Sequence, residues 1–167
     1  MKRLDLSAER LRELLHYDPE TGVFTRCVAR PGKSRAVGCR AGTLNKVGYR
    51  QIGIDGHVYL EHRLAFLYMT GEWPKFTVDH INCTRTENKW SNLRDVPQRI
   101  NAHNERSARS TNSTGLLGVT KRADTGRHQA LITVDGKHFS LGCFDTAEEA
   151  HEAYKVAKRE MHEGSTL

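Results

Sequence analysis

The sequence predicts an α+β fold: a strand–strand–helix unit followed by a small three-stranded antiparallel sheet with one helix. Three observations carry this. Asp55-Gly56 and Asp135-Gly136 each stand between runs of β-forming residues, the strongest short-range hairpin signal. Helical spacing of apolar residues appears over 61–70 and again after Thr146. A polar, unpatterned stretch at 105–114 separates the two parts as a linker.

Each element follows from local chemistry. Ser7 is placed to cap a helix whose Leu11, Leu14 and Leu15 share a face, with the Asp18–Gly22 turn ending it. From Gly22 to Leu60 the pattern changes to short β runs, Val23–Thr25, Val47–Ile52 and His57–Leu60. The intervening residues 29–46, with Arg30, Lys33, Arg35, Arg40 and Lys46, read as a mobile basic loop. A helix over 61–70 buries Leu64, Phe66, Leu67 and Tyr68 and stops at Gly71 and Pro74. The predicted domains are 1–104 and 115–167, joined by 105–114.

Composition narrows the function classes. The chain has 167 residues, 26 Lys+Arg against 20 Asp+Glu, a net charge of +6 and a mean hydropathy of −0.64. The longest apolar run, Leu64–Met69, is far too short to span a bilayer, and no apolar segment follows the basic amino terminus. Neither a membrane nor a secretory route is expected, and a cytoplasmic protein (in the host cell, if phage-encoded) is. The cysteines at 27, 39, 83 and 143 include no Cys-x-x-Cys pair, so no structural zinc is expected. The charge is uneven. Residues 1–110 carry 19 basic and 12 acidic groups, whereas 111–167 carry 7 and 8. Within that second part the first half is basic and the second acidic, so a polyanion would meet the first half.

The densest chemistry lies at 77–104. Thr77–Ile81 reads as a strand ending in the pair Asp79-His80, followed by an Asn-rich loop and a second strand, Asn92–Val96. Pro97 can open a helix on which Gln98, Asn101 and Asn104 share one face while His103 points away. A helix packing back across the hairpin can bring Asp79 and Asn101 together. A carboxylate and an amide carbonyl are hard oxygen donors suited to Mg²⁺, with Mn²⁺ as a second candidate. His80, on the opposite side of its strand from Asp79, is a suitable general base for activating water at neutral pH.

Asp79-His80, Asn92-Leu93 and Asn101, in this order and on these elements, resemble the HNH nucleases of the ββα-metal class. Gly48-Tyr49-Arg50, His62-Arg63-Leu64-Ala65 and Gly71-Glu72-Trp73-Pro74 are similar to the segment preceding that motif in phage-type homing endonucleases. The resemblance implies His80 as general base, Asp79 and Asn101 as metal ligands, and Asn92 as a brace for the loop holding His80. The third motif position is Asn101 where many members carry His, a variant of the phage-type enzymes. Arg63, at a basic helix start, could contact DNA or merely solvate its helix.

The second part reads as strands at 117–122, 128–134 and 137–142, then a helix opened by the capping box Thr146-Ala147-Glu148-Glu149. Ala150, Ala153, Tyr154 and Ala157 let that helix lie close on one sheet face, leaving the basic face free to enter a major groove. Gly118-Val119, Ala130-Leu131-Ile132, the run Leu141–Ala150 and Ala153-Tyr154 resemble the DNA-binding domain of plant Apetala-class ethylene-response factors. That resemblance implies DNA contacts at Thr120, Arg122, Arg127, Leu131, Thr133, His138 and Ser140. Lys121, Gln129 and Lys137 join them as polar residues of the same basic half. Thr133, His138 and Ser140 stand where the family typically has Arg, Arg and Trp, so its base preference does not carry over.

Together these features lead to an expected metal-dependent DNA endonuclease of homing type, acting on double-stranded DNA as a monomer or weak dimer. One active site per monomer makes nicking the expected outcome. A sequence-specific DNA-binding protein with an inactive nuclease unit is the competing expectation.

Overall fold

Ser7 has extended backbone, and its hydroxyl accepts from the Arg10 N–H at 3.2 Å, so α1 (Ala8–Leu14) begins where the sequence predicts. This computed structural model describes residues 6–29, 36–104, 108, 112–162 and 165. The chain is mixed α+β with small antiparallel sheets, as expected. It divides into two compact units, ending and beginning at Pro97 and Gln98. The predicted linker lies further along, and most of it (105–107 and 109–111) is outside the described residues.

In the first unit α1 runs straight into β1 (Leu15–Asp18), which pairs antiparallel with β2 (Val23–Arg26). The Asp18–Gly22 turn therefore closes a hairpin, where the sequence reading had it end a helix. Period-two burial decides the matter: Leu15 and Tyr17 are buried and His16 is exposed. Asp18 shapes the turn by accepting from the Glu20 N–H and the Thr21 hydroxyl.

Part of the presumed basic loop is also structured. Ala41 donates its N–H to the Phe24 carbonyl, and β3 (Thr43–Leu44) pairs with β4 (Arg50–Ile54). Arg30, Lys33 and Arg35 lie outside the described residues. β4 pairs in turn with β5 (His57–Leu60) through Asp55 and Gly56, both at positive φ as a tight hairpin turn requires.

α2 (Glu61–Thr70) follows at once and ends at Gly71 in the left-handed conformation. Its Leu64, Phe66 and Leu67 are buried as expected and Tyr68 is half-buried, but Glu61 and His62 are buried too. β6 (Thr77–His80) then pairs antiparallel with β7 (Leu93–Val96), which a 3₁₀ turn at Trp90–Asn92 introduces. One core joins α1, β1, β2, β4, α2, β6 and β7, including Leu11, Phe24, Ile52, Leu64, Val78 and Leu93.

The second unit opens with α3 (Gln98–His103). Within this unit Arg99 pairs with Asp135 at 2.9 Å, and the His103 ring stacks on His162 at 4.1 Å. β8 (Val119–Lys121), β9 (His128–Val134) and β10 (Lys137–Phe144) form the expected antiparallel sheet in the order β10-β9-β8. α4 (Ala147–Met161) starts with the predicted capping box and packs Ala150, Tyr154 and Ala157 on Val119, Ala130 and Ile132.

Gly118 sets the depth of this packing. At φ +77°, a Cβ built there would lie 2.0 Å from the Tyr154 ring. Gly118→Ala combines overpacking with an unfavourable backbone conformation. It is expected to lower the stability of the second unit by on the order of 1–3 kcal/mol, measured by urea unfolding of the variant beside the native chain.

Candidate active site

The β6–β7 ladder sets Asp79 opposite Arg94 and His80 opposite Leu93, so the acid–imidazole pair ends a paired strand. Both side chains are buried. Asp79 Oδ2 accepts from Arg94 Nε at 2.9 Å and from its terminal nitrogen at 2.8 Å. His80 Nε2 lies 2.9 Å from Asn88 Oδ1. Burial holds the His80 pKa below the ordinary imidazole value, against the opposing pull of its contact with Asn88 and of the Asp79 charge. The ring is therefore neutral at physiological pH, the form able to accept a proton.

The loop between β6 and β7 is fixed by its own polar groups. Asn92 accepts from the Asn82 N–H at 3.0 Å and donates to the Glu87 carbonyl at 2.8 Å and to Asn82 Oδ1 at 3.0 Å. The amino-terminal hairpin supports the same loop from behind. The Tyr17 hydroxyl donates to the Asn88 carbonyl at 2.6 Å, and the Trp90 N–H donates to the Pro19 carbonyl at 3.0 Å. Gly22, at φ +71°, approaches so closely that a Cβ would sit 2.3 Å from the Asn88 and Lys89 backbone.

Beneath the loop lies a buried polar chain. Asn88 Nδ2 donates to Glu61 Oε2 at 3.0 Å, and Arg50 Nε contacts both Glu61 oxygens at 3.0 and 3.1 Å. Glu61 is fully buried. Desolvation pushes its pKa up, and Arg50 chiefly opposes that shift.

His62 sits beside this chain, its ring edge-on to His80 at 5.1 Å and 5.2 Å from that of Tyr49. Its Nδ1 is buried with no hydrogen-bond partner among the described residues. Burial, then the neighbouring His80 and Arg63, hold its pKa down to about 3 from 6.5. The unfolded chain thus binds the additional proton between those values, so stability is full above pH 6.5 and is lost as the pH falls toward 3. The urea midpoint of the first unit, followed by the fluorescence of Trp73 and Trp90, is expected to drop across this window, and His62→Gln to flatten the dependence.

The remaining predicted site residues are distributed as follows. Arg63 lies over the Trp73 ring, 5.9 Å from its centroid. Asn101 is on α3, in the second unit, and is half-buried. On the sheet Thr120, Lys121, Thr133, Lys137, His138 and Ser140 are exposed and Gln129 and Leu131 half-exposed, and Arg122 and Arg127 are exposed in the loop between β8 and β9. Several of these already engage neighbours: Arg122 pairs with Asp124 at 2.6 Å and Arg127 with Asp145 at 2.9 Å. Across the strands Thr133 Oγ1 meets His138 Nδ1 at 2.8 Å, and Gln129 donates to Ser140 at 3.0 Å.

Residues 59–103 match the family model for HNH endonucleases. The matched segment, less than half of the chain, begins in β5 and ends with α3, so it holds Asp79, His80, Asn92 and Asn101. No curated protein matches the chain. Among solved structures, one of DNA binding and cleavage by the HNH homing endonuclease I-HmuI is 23% identical with a TM-score of 0.43. It covers 88% of this chain and 80% of its own.

HNH endonucleases generally use a divalent ion, and the Asp79 carboxylate, in the first unit, and the Asn101 amide oxygen, in the second, are each hard oxygen donors of the kind such an ion takes. Mg²⁺ commonly takes one or two protein oxygens and fills its shell with water and phosphate oxygens. Among the described residues no three of His, Cys, Asp or Glu group as a metal site. Any ion at Asp79 would share the carboxylate with Arg94.

Sequence reasoning missed Glu61 and Asn88 as parts of this site. A signal for Glu61 existed. It stands three and four residues before Leu64 and Ala65, on the apolar face of its helix, where a charged residue is buried only when paired. Asn88 gave none, because a loop asparagine usually just makes a turn.

Proposed function

We propose that this protein is a metal-dependent DNA endonuclease of homing type, hydrolysing phosphodiester bonds of double-stranded DNA and nicking one strand per encounter. The observation that carries the reading is the buried Asp79-His80 pair ending β6, its imidazole neutral and seated against a loop that Asn92 braces by three hydrogen bonds. The family match over 59–103 supports it.

In this reading His80 takes the proton from the attacking water, and the packed loop fixes the ring so that no orientation must be found during reaction. Asp79 and Asn101 would hold the divalent ion, Mg²⁺ or alternatively Mn²⁺. Once bound, that ion supplies charge stabilisation at the scissile phosphate. Arg63 is assigned to the DNA backbone. The β8–β10 sheet offers Thr120, Lys121, Arg122, Arg127, Gln129, Leu131, Thr133, Lys137, His138 and Ser140 to the groove, adding affinity through effective concentration. A monomer or weak dimer in the cytoplasm completes the proposal. Among the described residues no helix is long and apolar enough to cross a membrane.

One observation favours a second reading, a DNA-binding protein with an inactive nuclease unit: the Asp79 charge is already compensated by Arg94. Supercoiled plasmid separates the two. Conversion to open circle with Mg²⁺ or Mn²⁺, stopped by EDTA, supports the enzyme; tight binding without cutting under both metals overturns it.

A further inference from the structure

We infer that Asn88 and Glu61 are positioning residues that fix which nitrogen of His80 carries its proton, placing the proton on Nε2 and the basic lone pair on Nδ1. The inference rests on the proposed role of His80 as general base and goes beyond it by naming the atom and the side chains that select it.

The chain of contacts begins at its buried end with Arg50 and Glu61. Arg50 has no acceptor atoms, and its Nε faces both Glu61 oxygens, which selects the ionised carboxylate. An ionised carboxylate only accepts, so the Asn88 amide must turn its NH₂ toward Glu61, as the 3.0 Å contact from Nδ2 requires. The amide oxygen then faces His80 Nε2 at 2.9 Å, and an oxygen acceptor at that distance requires a proton on that nitrogen. In the neutral ring the remaining lone pair is therefore on Nδ1.

Every member is held in place. Asn88 and Glu61 are 1% and 0% exposed. The Tyr17 hydroxyl fixes the Asn88 carbonyl at 2.6 Å, and Gly22 closes the space behind it. Flipping the amide would set its oxygen against the buried Glu61 carboxylate, a repulsion that no change of tautomer at His80 relieves. The amino-terminal hairpin and the start of α2, remote in sequence from Asp79-His80, thereby act on the base.

The closing experiment separates this inference from the nuclease reading. Protein labelled with ¹⁵N at histidine, free of metal and DNA and above the ordinary imidazole pKa, is examined by two-bond ¹H–¹⁵N correlation. The His80 signals are assigned by their loss in His80→Gln. The native chain is expected to show Nε2 protonated and Nδ1 unprotonated. In Glu61→Gln, Arg50 retains the new amide oxygen, the new NH₂ faces Asn88, the Asn88 amide turns over, and the His80 proton moves to Nδ1. Cleavage by that variant should show kcat reduced by at least about tenfold, the low end for partners acting through another residue, with KM unchanged. A native His80 protonated on Nδ1 overturns the inference even if the variant does not fold. So does an unchanged tautomer in folded Glu61→Gln, or native kcat in that variant. Failure of the native chain to cut DNA overturns the nuclease reading alone, since the tautomer is read without DNA.

Discussion

Arg50→Ala is expected to unfold the first unit at a much lower denaturant concentration than the native chain, with a loss of about 3–5 kcal/mol, the range for removing one partner of a buried ion pair. The size follows from asymmetry. Glu61 is fully buried, and without Arg50 its carboxyl group would have the Asn88 amide as its main remaining partner, either as an uncompensated charge or by taking up a proton. Arg50 also donates to the Ala41 and Gly42 carbonyls at 3.2 Å each, so truncation frees the chain leading into β3 as well. Gly42 packs its Cα against Glu61 so closely that a Cβ would lie 2.5 Å from the carboxylate, so the backbone itself shields that side of the carboxylate. Replacing Arg50 and Glu61 together by Met and Leu should recover much of the loss, because no uncompensated charge then remains. Urea unfolding followed by tryptophan fluorescence measures all three proteins.

His80→Ala is the second large effect, and it falls on activity. The rate of plasmid nicking should drop by about 10²–10⁴-fold, the usual contribution of a positioned general base. DNA affinity should stay near native, since His80 is only 4% exposed and offers little surface to a ligand in the ground state. Stability should change modestly, because Asn88 keeps Glu61 and Tyr17 as partners when its imidazole contact is removed. A loss of binding equal to the loss of rate would mark His80 as a DNA contact instead.

Much of the fold is written locally in the sequence. Asp55-Gly56 and Asp135-Gly136 specify their turns because positive φ at both central positions is a property of the residues themselves. Thr146 and Glu149 form their capping box within four residues. The strand pair holding Asp79-His80 was legible for the same reason, as a β run ending in polar residues. What local pattern did not show depends on tertiary packing. The turn after Asp18 was assigned to a helix end, because Leu14 and Leu15 satisfy helical spacing until the β2 partner is seen. β3 has only two residues and gains its identity from β4. Glu61 and Asn88 lie 27 residues apart, and neither looks unusual without the other. The candidate site is thus legible in Asp79, His80 and Asn92 and hidden in the buried groups packed against them.

The direct measurement is a time course of supercoiled plasmid with the native protein and Mg²⁺, with bound and cut DNA quantified in the same samples. Open circles accumulating in proportion to bound protein, and abolished by EDTA, are what the account predicts. DNA that is bound and stays supercoiled with either Mg²⁺ or Mn²⁺ would contradict it.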